Sequence, residues 1–276
     1  MEKSVKKSVV LGRPMTRSLG WLVGFAVLAS GGPLAAQEAA LRPQVSSAVR
    51  AISRPLRDIA PQVGIKSPRP AAPLRTVMPS GADTLRVDPV AQTSAGSLVS
   101  TVEGINIAGL GDGDYGYSVS SAPPDTVGAV GTNQYVQWVN TSLAVFDKTT
   151  GNLVAGPIPG REIFAPLAPN PCGTRNDGDP IVNYDRLANR WVLSQFAIAG
   201  PFYQCVAVSA TADATGEYFL YAFQQPSFND YPKVGVWPDA YYATFNQFGT
   251  PQGARICAFE RARMLVGEPA GQVCFQ

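Results

Sequence analysis

"DTVGAVGTNQYVQWVNTSLAVFDKTTG" (residues 125–151) alternates at the period of a strand. Tyr135, Gln137 and Val139 fall on one side, and Val136, Trp138 and Asn140 on the other. Thr150-Gly151 supplies turn chemistry at the end of the second apolar run, "LAVFD". The same order returns twice. "DPIVNYDRLANRWVLSQFA" (179–197) is followed by "CVAVSATADATGEYFLYAF" (205–223), and "DYPKVGVWPDAYYATFNQF" (230–248) by "ICAFERARMLVGEP" (256–269). Each unit has a launch aspartate (Asp125, Asp179, Asp230), 54 and then 51 residues apart. Each then has an aromatic strand, a second apolar strand, and a turn bearing Gly151, Gly216 or Gly267. No window carries a helical stripe of useful length. A period near 50 residues with several strands per unit predicts an all-β fold of propeller type, with about three antiparallel blades. Closed rings have four to eight blades, so the expectation is an incomplete propeller, the N-terminal portion of a longer one.

The residues before this region differ in kind. Lys3, Lys6, Lys7, Arg13 and Arg17 precede the apolar run "GWLVGFAVLAS" (20–30), and small residues follow it near Ala36. That order predicts a signal peptide over 1–36, and the run is too short for a transmembrane anchor. Residues 37–98, rich in Pro, Ala, Ser and Arg, show no sustained period and predict a disordered linker. The propeller region then spans 99–276. It holds nine basic and fifteen acidic residues, although the whole chain has 22 and 20. An acidic domain is a poor match for a phosphate backbone, so nucleic acid is not an expected partner.

Cys172, Cys205, Cys257 and Cys274 all lie in this acidic region. Their spacing matches no zinc pattern, and the chain has no histidine to complete one. Four cysteines allow three pairings, of which the sequence-near one, Cys172–Cys205 with Cys257–Cys274, is favoured. Disulfides and a signal peptide together predict a secreted or cell-surface protein.

"SAPPDTVGAVGTNQYVQWVNTSLAVFDKTTG", "CGTRNDGDPIVNYDRLANRWVLSQFA", "YQCVAVSATADATGEY" and "FNDYPKVGVWPDAYYATFNQF" resemble large secreted bacterial proteins of uncharacterised function. Those are similar to β-propellers and continue into immunoglobulin-like or other surface modules. The resemblance covers residues 121–276. It implies fold and export, and implies no activity. "TADATGEY" (211–218) loosely resembles the hairpin of sialidase-like propellers, which is structural there too; the sialidase arginine motif is absent.

Three sets of residues are candidates for a site. Asp125, Asp179 and Asp230 open equivalent strands and would ring one mouth of a propeller channel, although a launch aspartate is also what a strand-opening turn needs. Asn176, Asp177 and Asp179 in "NDGDP", and Asp112 with Asp114 in "GLGDGDYGY", have the beginning of a calcium-loop spacing and lack its closing glutamate. No cofactor is expected, and calcium is the one ion the spacing admits. Trp138, Tyr203, Trp237 and Tyr241 could stack on sugars, against the commoner role of packing between sheets. Without histidine, a Ser-His-Asp or Cys-His device is excluded within these residues, and no catalytic residue is assigned. The expectation is a non-catalytic extracellular module meeting a glycan or a surface protein. The alternative is a secreted carbohydrate-active hydrolase using the mouth carboxylates, completed beyond residue 276.

Overall fold

A computed structural model describes residues 42–61, 104–118 and 123–276 of the chain. They belong to one compact unit, Ala40–Gln276. The leader expected over 1–36 lies outside the described residues, as do residues 62–98 of the linker. The fold is all-β, with three antiparallel sheets formed from consecutive stretches of chain. The first sheet is β3 (Val127–Val130), β4 (Gln134–Val139), β5 (Ser142–Asp147) and β6 (Leu153–Pro159), in that order. The second runs β7 (Ile181–Asp185), β8 (Arg190–Ala197), β9 (Tyr203–Ser209) and β10 (Tyr218–Gln224). The third runs β11 (Phe228–Val236), β12 (Tyr241–Phe248), β13 (Gly253–Phe259) and β14 (Gly271–Phe275). The opening strands lie side by side, β3 against β7 and β7 against β11.

Strand alternation sends neighbouring residues to opposite faces; both faces of the first two sheets and one face of the third find apolar partners. Val136, Trp138, Leu143 and Val145 of the first sheet meet Trp191, Leu193, Cys205 and Tyr218 of the second. The opposite face of the second sheet, with Val192, Val206, Val208, Tyr221 and Phe223, packs on Tyr241, Ala243, Phe245, Cys257 and Phe259 of the third. Leu110 and Tyr117, from residues 104–118, cover Val139, Ala144 and Phe146 on the outer face of the first sheet.

The linker expectation is corrected where the chain is described. Residues 42–61 are ordered: β1 (Gln44–Ser47) pairs with β14, and β2 (Val49–Ile52) pairs with β10. They form the fifth strand of the third and second sheets. Ser53 then locks to Tyr218, its N–H donating to the Tyr218 carbonyl (2.9 Å) and its Oγ accepting from the Tyr218 N–H (2.9 Å). Leu56 is fully buried in the layer between the first two sheets. Backbone pairing at a sheet edge holds this segment, and such pairing requires no run of apolar side chains.

Both favoured disulfides are present, Cys172–Cys205 and Cys257–Cys274. The first ties the short helix Pro171–Thr174 to β9, and the helix is capped by Asn170, whose Oδ1 accepts from the Cys172 N–H (2.9 Å). The second joins cross-strand neighbours of β13 and β14. Such bonds fit an oxidising, extracellular setting. Among the described residues no helix is long and apolar enough to cross a membrane.

Candidate functional site

The three opening strands share a backbone device. Asp125, just before β3, and Asp179, just before β7, hold left-handed φ angles of 41° and 47°. Asn and Asp tolerate that region better than other side chains do. In the third sheet the corresponding residue is Tyr231 (φ 51°), at the register shift of β11 between Asp230 and Lys233. The expectation that Asp230 is the third launch residue is therefore corrected by one position. Asp230 already pairs within the strand, opposite Asn246. The signal was the proline that follows the corner in both Asp179-Pro180 and Tyr231-Pro232.

These corners converge. Asp125-Thr126-Val127, Asp179-Pro180-Ile181 and Tyr231-Pro232-Lys233 line a cavity of about 200 Å³ open to solvent. Neighbouring corners are linked in series. Asn140 Nδ2 donates to the Pro123 carbonyl (2.7 Å) and to Asp125 Oδ2 (3.2 Å). Its Oδ1 lies over Gly178 so closely that a Cβ there would overlap it, and Gly178 has φ +101°. Only glycine fits that approach. Asp179 Oδ2 in turn accepts from the Tyr231 N–H (3.1 Å). The Tyr231 ring is 61% exposed, and Lys233 Nζ stands 3.4 Å from its centroid while donating to the Pro232 carbonyl (3.1 Å).

Electrostatically the middle corner is the perturbed one. Burial pushes the Asp179 carboxyl above the usual carboxylate range, and the nearby charges of Asp230 and Asp125 push it further. The Tyr231 N–H and the Lys233 ammonium pull the other way without cancelling the rise. The mouth is thus lined by two carboxyl groups, Asp125 and Asp179, one ammonium and one exposed aromatic ring, and Asp230 does not line it. Such a surface suits hydroxyl-rich or cationic groups and repels anions.

The other candidates are placed as follows. Asn176 is consumed by structure: its Nδ2 donates to the Thr141 carbonyl (3.0 Å) and its Oδ1 accepts from the Arg161 N–H (3.1 Å). Asp177 forms a two-pronged pair with Arg175 (3.0 and 3.2 Å) and accepts from the Ile198 N–H (2.9 Å). Asp112 and Asp114 sit in a separate tight turn, closed by the Tyr117 N–H on the Asp114 carbonyl (2.7 Å), and neither lines the mouth. Among the described residues no three of His, Cys, Asp and Glu are gathered to hold a metal ion. Of the aromatic candidates, Trp138 and Tyr241 are fully buried core residues and Tyr203 is partly buried, whereas Trp237 is 65% exposed.

One buried polar centre had no sequence signal, because its partners are far apart in the chain. Asp185, fully buried, takes Arg261 in bidentate fashion (Nε to Oδ2 2.7 Å, Nη2 to Oδ1 3.1 Å). It also accepts from the Tyr241 hydroxyl (2.9 Å) and from the N–H groups of Leu187 (3.0 Å) and Ala188 (3.1 Å). Burial alone would raise its pKa, but Arg261 and Tyr241 outweigh that and hold it below the usual range. Every acceptor position is taken, which marks the centre as a bolt between the second and third sheets. Comparison with protein-family models, curated proteins and solved structures finds no match to this chain.

Proposed function

We propose that the chain is a non-catalytic, extracellular binding module built on β-propeller blades, and that the three sheets are successive units of one repeat. The proposed recognition surface is the mouth at Asp125, Asp179 and Tyr231, and its ligand class is a glycan. One observation carries this reading: three chain corners with the same unusual φ bring carboxylates and an exposed tyrosine ring to a single opening. Carboxylates accept sugar hydroxyls, and an aromatic face stacks on the apolar side of a pyranose ring. The test is a glycan array on the intact protein, followed by calorimetry with the best binder. Tyr231→Ala is expected to weaken binding about tenfold, the range of a lost aromatic contact. An array with no binder, or a best binder indifferent to Tyr231→Ala and to Asp179→Asn, would refute the assignment.

A second reading has its own support in the raised Asp179 carboxyl beside other carboxylates. A carboxyl with a raised pKa beside a second carboxyl group is the kind of pair a glycoside hydrolase uses. Turnover of an aryl glycoside that Asp179→Asn abolishes would favour this reading over the binding module.

A further inference from the structure

Two arginines are buried among the described residues, Arg255 at 3% exposure and Arg261 at 9%. Arg261 has Asp185 as its counter-charge. Arg255 pairs with no described Asp or Glu, and burial pulls its pKa below the usual arginine value. The alternation of β13 puts its side chain on the face of Cys257 and Phe259, toward the second sheet. Glutamines meet it there. Nε donates to Gln225 Oε1 (3.1 Å), and Nη1 donates to Gln44 Oε1 (2.7 Å) and Gln276 Oε1 (3.3 Å). The Gln225 amide donates on to Gln272 Oε1 (3.1 Å), and the Gln272 amide to Ser46 Oγ (2.9 Å) on β1. Every one of these acceptors is neutral. The remaining amino group of the guanidinium, Nη2, donates to no described residue. Gln276 Nε2, on the amide whose oxygen meets Nη1, is buried and also lacks an acceptor.

We infer that Arg255 seats a small monovalent inorganic anion of the chloride type, held by Nη2 together with the Gln276 amide. Taking a charge out of water is costly, and buried charges are as a rule paired. A buried cation with donors to spare and only neutral acceptors therefore calls for a negative partner. The grip decides its class. A guanidinium holds a carboxylate or phosphate best when two N–H groups take two oxygens in parallel. Either such fork needs Nε or Nη1 beside Nη2, and both are engaged by glutamine oxygens. End-on contact with a single atom is what remains. Gln44 lies on β1, Gln225 directly after β10 and Gln276 directly after β14, so the ion ties the N-terminal strand to the ends of two sheets. The inference does not depend on what the mouth binds.

The test uses the intact protein at pH 7 and constant ionic strength, with sodium gluconate, whose anion is too bulky for an enclosed site, replaced stepwise by sodium chloride. Chloride at tenfold excess over its Kd is expected to raise the Tm by about 3–6 °C, with saturation. The chloride NMR line of the same samples should broaden in proportion to protein and sharpen when nitrate competes. Two variants place the effect. Arg255→Met removes the cation. Gln44→Glu brings a carboxylate oxygen to the guanidinium that Gln44 Oε1 already meets at 2.7 Å. Gln44→Glu is expected to raise the Tm in gluconate and to abolish both chloride responses, so the test stands even where Arg255→Met folds poorly. A Tm indifferent to chloride with an unbroadened line would overturn the inference. So would chloride responses retained in Gln44→Glu or in folded Arg255→Met, which would put the ion elsewhere.

Discussion

Replacing Arg261 with methionine removes the guanidinium from a carboxylate that is fully buried, while leaving a side chain of similar reach to fill the space. Asp185 then keeps the Tyr241 hydroxyl and two backbone N–H groups but loses its counter-charge. Breaking a buried pair from one side costs about 3–5 kcal/mol, and the slight exposure of Arg261 places this variant near the lower end, about 3. For a unit of this size that corresponds to a fall in Tm of about 10 °C. Asp185→Asn separates the terms, because its Oδ1 still serves Leu187 and Ala188 while the ion pair is gone. The double variant is expected to cost less than the sum of the singles by about 2 kcal/mol. The assay is urea unfolding by tryptophan fluorescence with the disulfides intact. The pH dependence has a definite sign. A carboxyl whose folded pKa is depressed stabilises the fold above the unfolded value of 3.8, and that contribution is lost as pH falls through the folded pKa. Wild type and Arg261→Met should therefore differ most near neutrality and converge below about pH 4. A cost under about 1 kcal/mol at pH 7, or a gap constant down to pH 3, would refute the bolt.

Three further outcomes are expected. Asp179→Asn relieves a carboxyl whose pKa is raised by burial and by Asp230 and Asp125, so it should stabilise the fold at pH 7 by up to about 1 kcal/mol. The sign is opposite to that of Asp185: a raised folded pKa costs stability as pH rises above the unfolded value, so the gain should fade toward pH 4 in melts run across that range. Leu56→Ala, in the segment read from sequence as linker, should cost about 2–5 kcal/mol in urea unfolding, whereas a disordered tether would register no change. Replacing Cys257 and Cys274 together by serine opens a 17-residue link and should cost about 3 kcal/mol on the chain-entropy model, read as a lower urea midpoint.

The strand content was legible because each strand buries at least one face against a neighbouring sheet, so alternation and aromatic placement follow directly from packing. Trp191 and Tyr241 on the aromatic strand, the Thr150-Gly151 turn and the sequence-near cysteine pairs are local features, and each stands as expected. Residues 44–52 were not legible for the converse reason. Their side chains point mostly to solvent, so what fixes β1 and β2 is backbone pairing with strands about 170–230 residues away. The shift from Asp230 to Tyr231 is not legible in the sequence because what recurs is a backbone angle, and at the third corner a tyrosine rather than an aspartate adopts it. Asp185 and Arg261 are 76 residues apart, and neither occupies a recurring position that would have paired them.

The sheet edges and the sheet faces are treated differently in this fold, and the difference bears on how it associates. An open edge presents unpaired N–H and C=O groups and templates aggregation. Here the second and third sheets end in β2 and β1, strands of only four residues each. The first sheet ends in β6, where Pro157 and Pro159 supply no N–H at all. Two devices, a short edge strand and prolines, thus blunt the three outer edges. No comparable device protects the outer face of the third sheet. Ile256, Phe275 and Val273 lie there without a central charge, and Lys233 stands at its margin on β11. A fold that guards its edges and leaves one broad apolar face is suited to stacking and poorly suited to strand addition. Contacts made by the third sheet should therefore bury side chains face to face and leave the β1 backbone unpaired on its outer side.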